Sequence, residues 1–184
     1  MQLVIISGPE ATGKSEIGHK LAEQLGYRYE SKDRIKEALF DSAPRSTWSY
    51  RWYENEAKQQ FFRELERLIR TNTNSIIESN FIGGDRARLK DCLRTEVKVI
   101  EIYCTAKGMT SFRRFVRRNE SGRRHKGHHD RRWYAKVFFQ GCVRYIGVEW
   151  PYGPLGLTDK LLKVDTTNFS KVNFRAIAQF VQSK

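Results

Sequence analysis

Gly8-Pro9-Glu10-Ala11-Thr12-Gly13-Lys14-Ser15 places two glycines five residues apart and follows them with a Lys-Ser pair. This fulfils every fixed position of the Gly-x4-Gly-Lys-Ser/Thr pattern. The chemistry implied is the holding of phosphate. Glycines let successive backbone N–H groups turn inward around phosphate oxygens, and a helix beginning at the loop's end adds its positive dipole end. Lys14 would reach the β- and γ-phosphates, and the Ser15 hydroxyl would ligate Mg²⁺. The expected ligands are ATP, with GTP as the second choice, and Mg²⁺.

Three further sites could act with this loop. In SKDRIKEALFD, Asp33 opens a helical pattern and Lys36 follows one turn later on the same face. A carboxylate with a neighbouring cation suits phosphoryl transfer to a hydroxyl: the acid accepts the proton and the cation steadies the transferring charge. The other role open to Asp33 is a helix N-cap. Glu78 ends the strand SIIES, where an acid can hold a metal-bound water or simply keep the strand end soluble. Asn80, two residues on, points to the same side and is either an acceptor contact or a turn residue.

The third site is RRFVRRNESGRRHKGHHDRR, residues 113–132, with nine Lys and Arg against two acids, Glu120 and Asp130. Arginine keeps its charge and its planar fork matches phosphate oxygens. Arg113/Arg114 and Arg117/Arg118 recur at helical spacing, while Arg118, Arg123 and Arg124 flank a hinge at Ser121–Gly122. The run reads as a phosphate clamp that excludes water during transfer. His125, His128 and His129 lack a matched ligand pair for zinc, so hydrogen bonding to substrate or closure through Asp130 is the better use for them. The aromatic cluster WSYRWY, beginning at Trp48, would either stack on a flat acceptor or pack a helical insertion.

These residues need elements to hold them. QLVIIS is a near-continuous apolar run, as in a buried parallel strand, and EIGHKLAEQLG repeats Ile17, Leu21 and Leu25 at helical spacing before Gly26. YRY, SIIES, VKVIEIYC and KLLKVD are the other strands. Helices are expected over 33–40, 52–70, 85–93 and 171–182. Strands alternating with helices predict an α/β fold, a five-stranded parallel sheet with helices on both faces. Ligands of such a sheet bind beyond the carboxyl ends of its strands.

With 184 residues, 39% hydrophobic and 12% aromatic, the chain fits one folded domain. No apolar run approaches a membrane span, and the N-terminus lacks a basic flank and cleavage site, so a cytoplasmic location is expected. Cys92, Cys104 and Cys142 form no CxxC pair, which argues against a disulfide framework or thiolate zinc site. The net charge of +13 is concentrated in the basic run, which points to a local anionic partner.

The set GPEATGKS, KDRIKEALFD, IIESNF, RRNESGRRHKGHHD and KVDTTNF resembles the small P-loop kinases of the AAA-type ATP-binding group. That group is related to polynucleotide 5′-hydroxyl kinases, chloramphenicol phosphotransferases and zeta toxins. The resemblance runs in order over nearly the whole chain. It implies a nucleoside-monophosphate-kinase-like P-loop fold with an Arg-rich lid over about residues 113–140. It further implies Asp33 as base, Glu78 near Mg²⁺, and lid arginines at the transferring phosphate. Lys36 stands where polynucleotide kinases carry Arg, which weakens the case for a nucleic-acid acceptor. The loop after the last strand, with Thr166 and Thr167, would lie by the adenine, and Arg114 would join it at the nucleotide. Trp48, Asn80, His125 and His128 are the candidates on the acceptor side. The expected activity is ATP- and Mg²⁺-dependent phosphate transfer to a hydroxyl of a small molecule. The alternatives are a 5′-hydroxyl polynucleotide or nucleoside kinase, and a nucleotide-gated binding module without transfer.

Overall fold

The computed structural model describes residues 1–42, 50–93, 97–122, 124–128, 153–158 and 160–183. Five strands form one sheet: β1 (Gln2–Ser7), β2 (Arg28–Ser31), β3 (Ser75–Glu78), β4 (Lys98–Thr105) and β5 (Leu161–Asp165). The order is β2-β3-β1-β4-β5 and every pairing is parallel. The chain fills one side of β1 before crossing to the other, so loops leaving β1, β3 and β4 diverge at a common edge.

Alternation along β1 feeds two cores. Val4 and Ile6 pack with Ile17 and Leu21 of α1 (Lys14–Leu25) and with Ile177 and Val181 of α6 (Phe174–Gln182). Leu3 and Ile5 face the other way, onto Phe61, Phe62 and Leu65 of α3 (Tyr50–Arg70) and Leu89 of α4 (Asp85–Cys92). A strand buried on both sides must be apolar throughout, which is why QLVIIS shows no polar alternation. Among the described residues the remaining α-helices, α2 (Lys32–Ser42) and α5 (Gly108–Glu120), follow β2 and β4 at the ligand-facing end. Within the described residues this is the expected α/β architecture.

Several boundaries differ from the sequence expectation; the helix expected over 33–40, for instance, runs Lys32–Ser42, and the YRY strand runs Arg28–Ser31. The closing helix starts at Phe174 because the Asn173 side chain accepts a hydrogen bond from the Ala176 N–H at 3.0 Å and caps it there. Phe169–Lys171 form a separate 3₁₀ turn. The long helix α3 begins at Tyr50, two residues earlier than its apolar stripe suggests.

One buried acid interrupts the core. Glu101, in the middle of β4, accepts hydrogen bonds from the Ser7 hydroxyl at 2.5 Å and from the Leu155 N–H at 2.8 and 3.0 Å. It thereby anchors the segment that carries Leu155 into the α3–α4 core. Replacing it by Ala would strand two buried donors. The expected outcome for Glu101→Ala is a loss of about 3 kcal/mol in urea unfolding, from unsatisfied donors at about 1–3 kcal/mol each. An exposed control such as Glu23→Ala should change stability by less than about 0.5 kcal/mol.

Candidate active site

The phosphate loop joins β1 to α1 at the sheet's carboxyl edge. Gly8 has φ 127°, and a Cβ there would lie 2.2 Å from the Cys104 carbonyl oxygen. Gly13 has φ 77°, and its Cβ would lie 2.6 Å from the Phe169 ring. Both positions therefore require glycine for conformation and for space. The Thr12 hydroxyl donates to the Pro9 carbonyl at 2.7 Å and stiffens the turn. Lys14 is buried, its Nζ donating to the carbonyl oxygens of Gly8 at 3.0 Å and Pro9 at 2.7 Å. The ammonium thus lies inside the loop's curve.

Ser15, in the first turn of α1, donates its hydroxyl to Glu78 Oε2 at 3.1 Å. Tyr29 donates to the same oxygen at 2.8 Å. Burial first, and then the adjacent Glu78 carboxylate, push the Tyr29 hydroxyl well above its ordinary pKa, so it remains a donor. Glu78 is itself 5% exposed. A hydroxyl and a carboxylate converging beside the phosphate loop form a hard oxygen donor set that suits Mg²⁺.

A cleft of about 460 Å³ opens from this loop, a size ordinary for a small-molecule site. Its walls include Asp33, Lys36, Glu78, Asn80, Arg118, Arg124 and His128, seven of the candidates named from sequence. Arg118 comes from α5, and Arg124 lies past the Gly122 bend, where φ is 65°. A second groove of about 330 Å³ runs along the outside of the loop between Arg114, Arg118 and Phe169. Arg114 is held there by the carbonyls of Thr166 at 2.7 Å and Thr167 at 3.3 Å. The Thr166 hydroxyl donates to the carbonyls of Thr12 and Thr105 at 2.8 and 2.9 Å, tying the last loop to the phosphate loop.

The helix α2 lies along one side of the cleft. Asp33 sits within its first turn, reached by water through the cleft yet crowded by the cleft walls. Crowding opposes its ionisation, but the positive charges of His128, Lys36, Lys32 and Lys14 prevail and hold the carboxyl below its ordinary value. His128 contributes only when protonated, and burial lowers its own pKa, so at neutral pH the lysines carry the effect. His128 is 5% exposed, and its Nε2 lies 2.8 Å from Glu37. His125 behaves differently from its neighbour. Its Nε2 meets Asp41 at 3.2 Å and its ring stands edge-on to Phe40, away from the residues that line the cleft. Arg123, His129, Asp130, Cys142 and Trp48 lie outside the described residues. Among the described residues no cluster of His, Cys, Asp and Glu could hold a further metal ion.

Sequence reasoning passed over the cleft's second set of charges. Lys32, nearly buried, donates to Glu54 Oε1 at 2.5 Å, and Lys36 reaches Glu54 Oε2 at 3.1 Å. Lys58 pairs with Asp85 at 3.0 Å, and the Tyr50 ring lies 5.2 Å from the Lys36 ammonium. Burial works against the charge of Lys32, but the Glu54 carboxylate raises its pKa overall. Reciprocally, the desolvation of Glu54 is outweighed by Lys32 and Lys36, and its pKa is lowered. The available signal was the i,i+4 spacing of Lys32 and Lys36 and of Tyr50, Glu54 and Lys58, which puts each set on one helix face.

A fold with this loop, sheet order and cleft is that of the small P-loop kinases, nucleoside-monophosphate-kinase-like in architecture. The AAA domain model matches residues 3–136, and the chain belongs to that family. No curated protein sequence matches it. A provisionally designated kinase from Chloroflexus aurantiacus j-10-fl is 29% identical, with a TM-score of 0.79 over 98% of this chain and 93% of that one. A gluconokinase from Sinorhizobium meliloti 1021 shares the fold at 12% identity, with a TM-score of 0.54 over 98% and 89% of the two chains. A shikimate kinase from Bacteroides thetaiotaomicron does so at 12% identity, with a TM-score of 0.52 over 98% and 96%. Among the described residues no helix is long and apolar enough to cross a membrane.

The Glu54 network predicts a pH signature. Because the folded pKa of Glu54 is depressed, its stabilising contribution is present above its ordinary value of 4.5 and is lost as pH falls through the lower folded value. The stability difference between the wild type and Glu54→Gln should stay constant from about pH 7 to 5 and shrink below about pH 4, read by urea unfolding at each pH. A difference that is flat through the acid range would show that the lysines do not hold Glu54 ionised.

Proposed function

We propose that this protein is an ATP- and Mg²⁺-dependent phosphotransferase that moves the γ-phosphate to a hydroxyl of a small molecule, working as a single kinase domain. The observation that carries the reading is the convergence of Lys14, Asp33 and Lys36 on one cleft, with an ionised carboxylate opposite the phosphate loop. A binding module would have no use for an acceptor-side carboxylate held charged by three lysines.

In this reading the loop of Gly8, Pro9, Glu10, Ala11, Thr12 and Gly13 wraps the phosphates, and Lys14 exchanges its carbonyl partners for phosphate oxygens. The outer groove takes the nucleoside, with Arg114 held in place by the Thr166 and Thr167 carbonyls. Ser15 and Glu78 would hold Mg²⁺, which neutralises charge on the β- and γ-phosphates. Asp33 orients the acceptor hydroxyl and takes its proton. Its lowered pKa makes it a weak base, which suffices because phosphoryl transfer has a loose transition state in which positioning matters more than base strength. Lys36, Arg118 and Arg124 face the charge that develops on the transferring group. The basic run thus serves as an anion clamp over the cleft.

The test is transfer from γ-labelled ATP with Mg²⁺ to small hydroxyl compounds and, separately, to a 5′-hydroxyl oligonucleotide. Label should appear on a small molecule and vanish with Lys14→Ala. Asp33→Asn should lower kcat by about 10²–10⁴-fold, the range of general-base contributions, while ATP affinity by equilibrium dialysis stays unchanged. Label confined to the oligonucleotide would move the acceptor to nucleic acid. ATP binding without label on any acceptor would leave a nucleotide-gated module.

A further inference from the structure

The wall of the cleft opposite the phosphate loop has its own composition, separate from that of the loop. On α3, Tyr50, Glu54 and Lys58 recur every four residues and line the cleft as one stripe. On α2, Lys32 and Lys36 have the same four-residue spacing, and Asp33, next to Lys32, lines the cleft with them. Among the described residues, each lysine of this wall has a carboxylate within 3.1 Å: Glu54 for Lys32 and Lys36, and Asp85 for Lys58. The wall's three lysines are therefore matched by three carboxylates, Asp33 and Glu54 on the wall itself and Asp85, which does not line the cleft but pairs with Lys58. The remaining cations of the cleft, Lys14, Arg118 and Arg124, lie toward the phosphate end in the reading above.

A wall balanced in this way handles charge poorly and hydroxyl groups well. An anionic acceptor would have to pull Glu54 from two nearly buried lysines or sit against Glu54 and Asp33. Breaking such a partly buried pair leaves an uncompensated charge. A cationic acceptor would meet Lys32 and Lys36 at the same point. A hydroxyl, by contrast, donates and accepts, so it can bridge the Glu54 carboxylate and a lysine N–H without disturbing either. The aromatic ring of Tyr50, 36% exposed at the cleft, adds an amphipathic surface against which the C–H face of a saturated ring can lie.

We infer that the acceptor is an uncharged, polyhydroxylated small molecule of the sugar or cyclitol class, seated with its ring face on Tyr50 and its hydroxyls on Glu54 and the paired lysines. The inference rests on the phosphotransferase reading. One hydroxyl oxygen, aimed at the γ-phosphorus, forms the new O–P bond. The bond from that phosphorus to the β-phosphate oxygen breaks, ADP leaves, and the hydroxyl proton passes to Asp33 and then to water. The other hydroxyls stay in the Glu54–lysine network and set the register of the reacting one.

Matched skeletons separate this from the alternatives. D-glucose, D-gluconate, D-glucosamine, D-glucose 6-phosphate and myo-inositol would be offered with γ-labelled ATP, beside a 5′-hydroxyl oligonucleotide. The expected result is a neutral member favoured at least tenfold in kcat/KM over its charged counterparts. Tyr50→Ala should raise the acceptor KM at least tenfold with nucleotide affinity unchanged, and Tyr50→Phe should restore most of it. Glu54→Gln should do likewise, and the Tyr50 pair keeps the test valid if that variant folds poorly. Preference for gluconate, glucosamine, the phosphate ester or the oligonucleotide would overturn the inference and leave the phosphotransferase reading standing. If none of these compounds is labelled, thermal shift decides the inference. With a non-hydrolysable ATP analogue bound, a Tm increase from glucose or inositol that Tyr50→Ala abolishes supports a neutral polyol site, and no shift from either overturns it.

Discussion

The site depends on one close approach. Where β1 ends, the backbone of Gly8 passes so near the carbonyl of Cys104 on β4 that a Cβ would lie 2.2 Å from its oxygen. No side chain fits, and φ of 127° is open only to glycine. That contact sets the phosphate loop directly over the β1–β4 pair, at the point where the sheet's connections diverge. From there the other distances follow. Glu78 at the end of β3 comes within 3.1 Å of Ser15, and Thr166 at the end of β5 reaches the Thr12 carbonyl at 2.8 Å. Three strand ends and one loop are thereby fixed to one another before any substrate is present, which is how a parallel sheet positions charged groups rigidly at its edge.

The same rigidity explains what could be read from the sequence. The phosphate loop was legible because its function demands fixed residue types at fixed offsets along one continuous stretch. The strands were legible because central parallel strands are apolar without alternation, and Glu78 stood out as the acid ending one of them. Glu101 carried a weaker signal, a lone acid inside VKVIEIYC, whose partners Ser7 and Leu155 lie 94 and 54 residues away. The charged wall formed by α2 and α3 was not legible for a related reason. Lys32 and Glu54 are 22 residues apart, and their pairing exists only once α2 and α3 pack together. In sequence Lys32 is one more surface lysine, and only its i,i+4 partner Lys36 hints otherwise. His125 and His128 looked equivalent, but the 3₁₀ turn Lys126–His128 sends the His125 ring to Asp41 and the His128 ring to Glu37, one turn apart on α2, and of the two only His128 lines the cleft.

The basic run, whose density of charge stands out in the sequence, turns out to be divided in the folded chain. Arg114 is spent on two carbonyls beside the outer groove, Arg118 bounds both grooves, and Arg124 lines the cleft near the Phe115 ring at 5.8 Å. Arg114 and Arg118, four residues apart, share a helix face and both bound the outer groove, while the bend after the helix carries Arg124 to the cleft.

The choice of lysine along the cleft wall formed by α2 and α3 has a physical consequence. An arginine fork would bind Glu54 bidentately and fill both carboxylate oxygens from one side, whereas two ammonium groups each take one oxygen, and each oxygen keeps capacity to accept a further hydrogen bond. Point charges also act at a distance on Asp33, keeping it ionised without covering it. Asp33, the base of the proposed reaction, is therefore held charged and reachable by water, and Glu54 is held charged and shared between two lysines. The proposed base and a hydrogen-bonding surface can coexist within one small cleft because the lysines neutralise both without enclosing either.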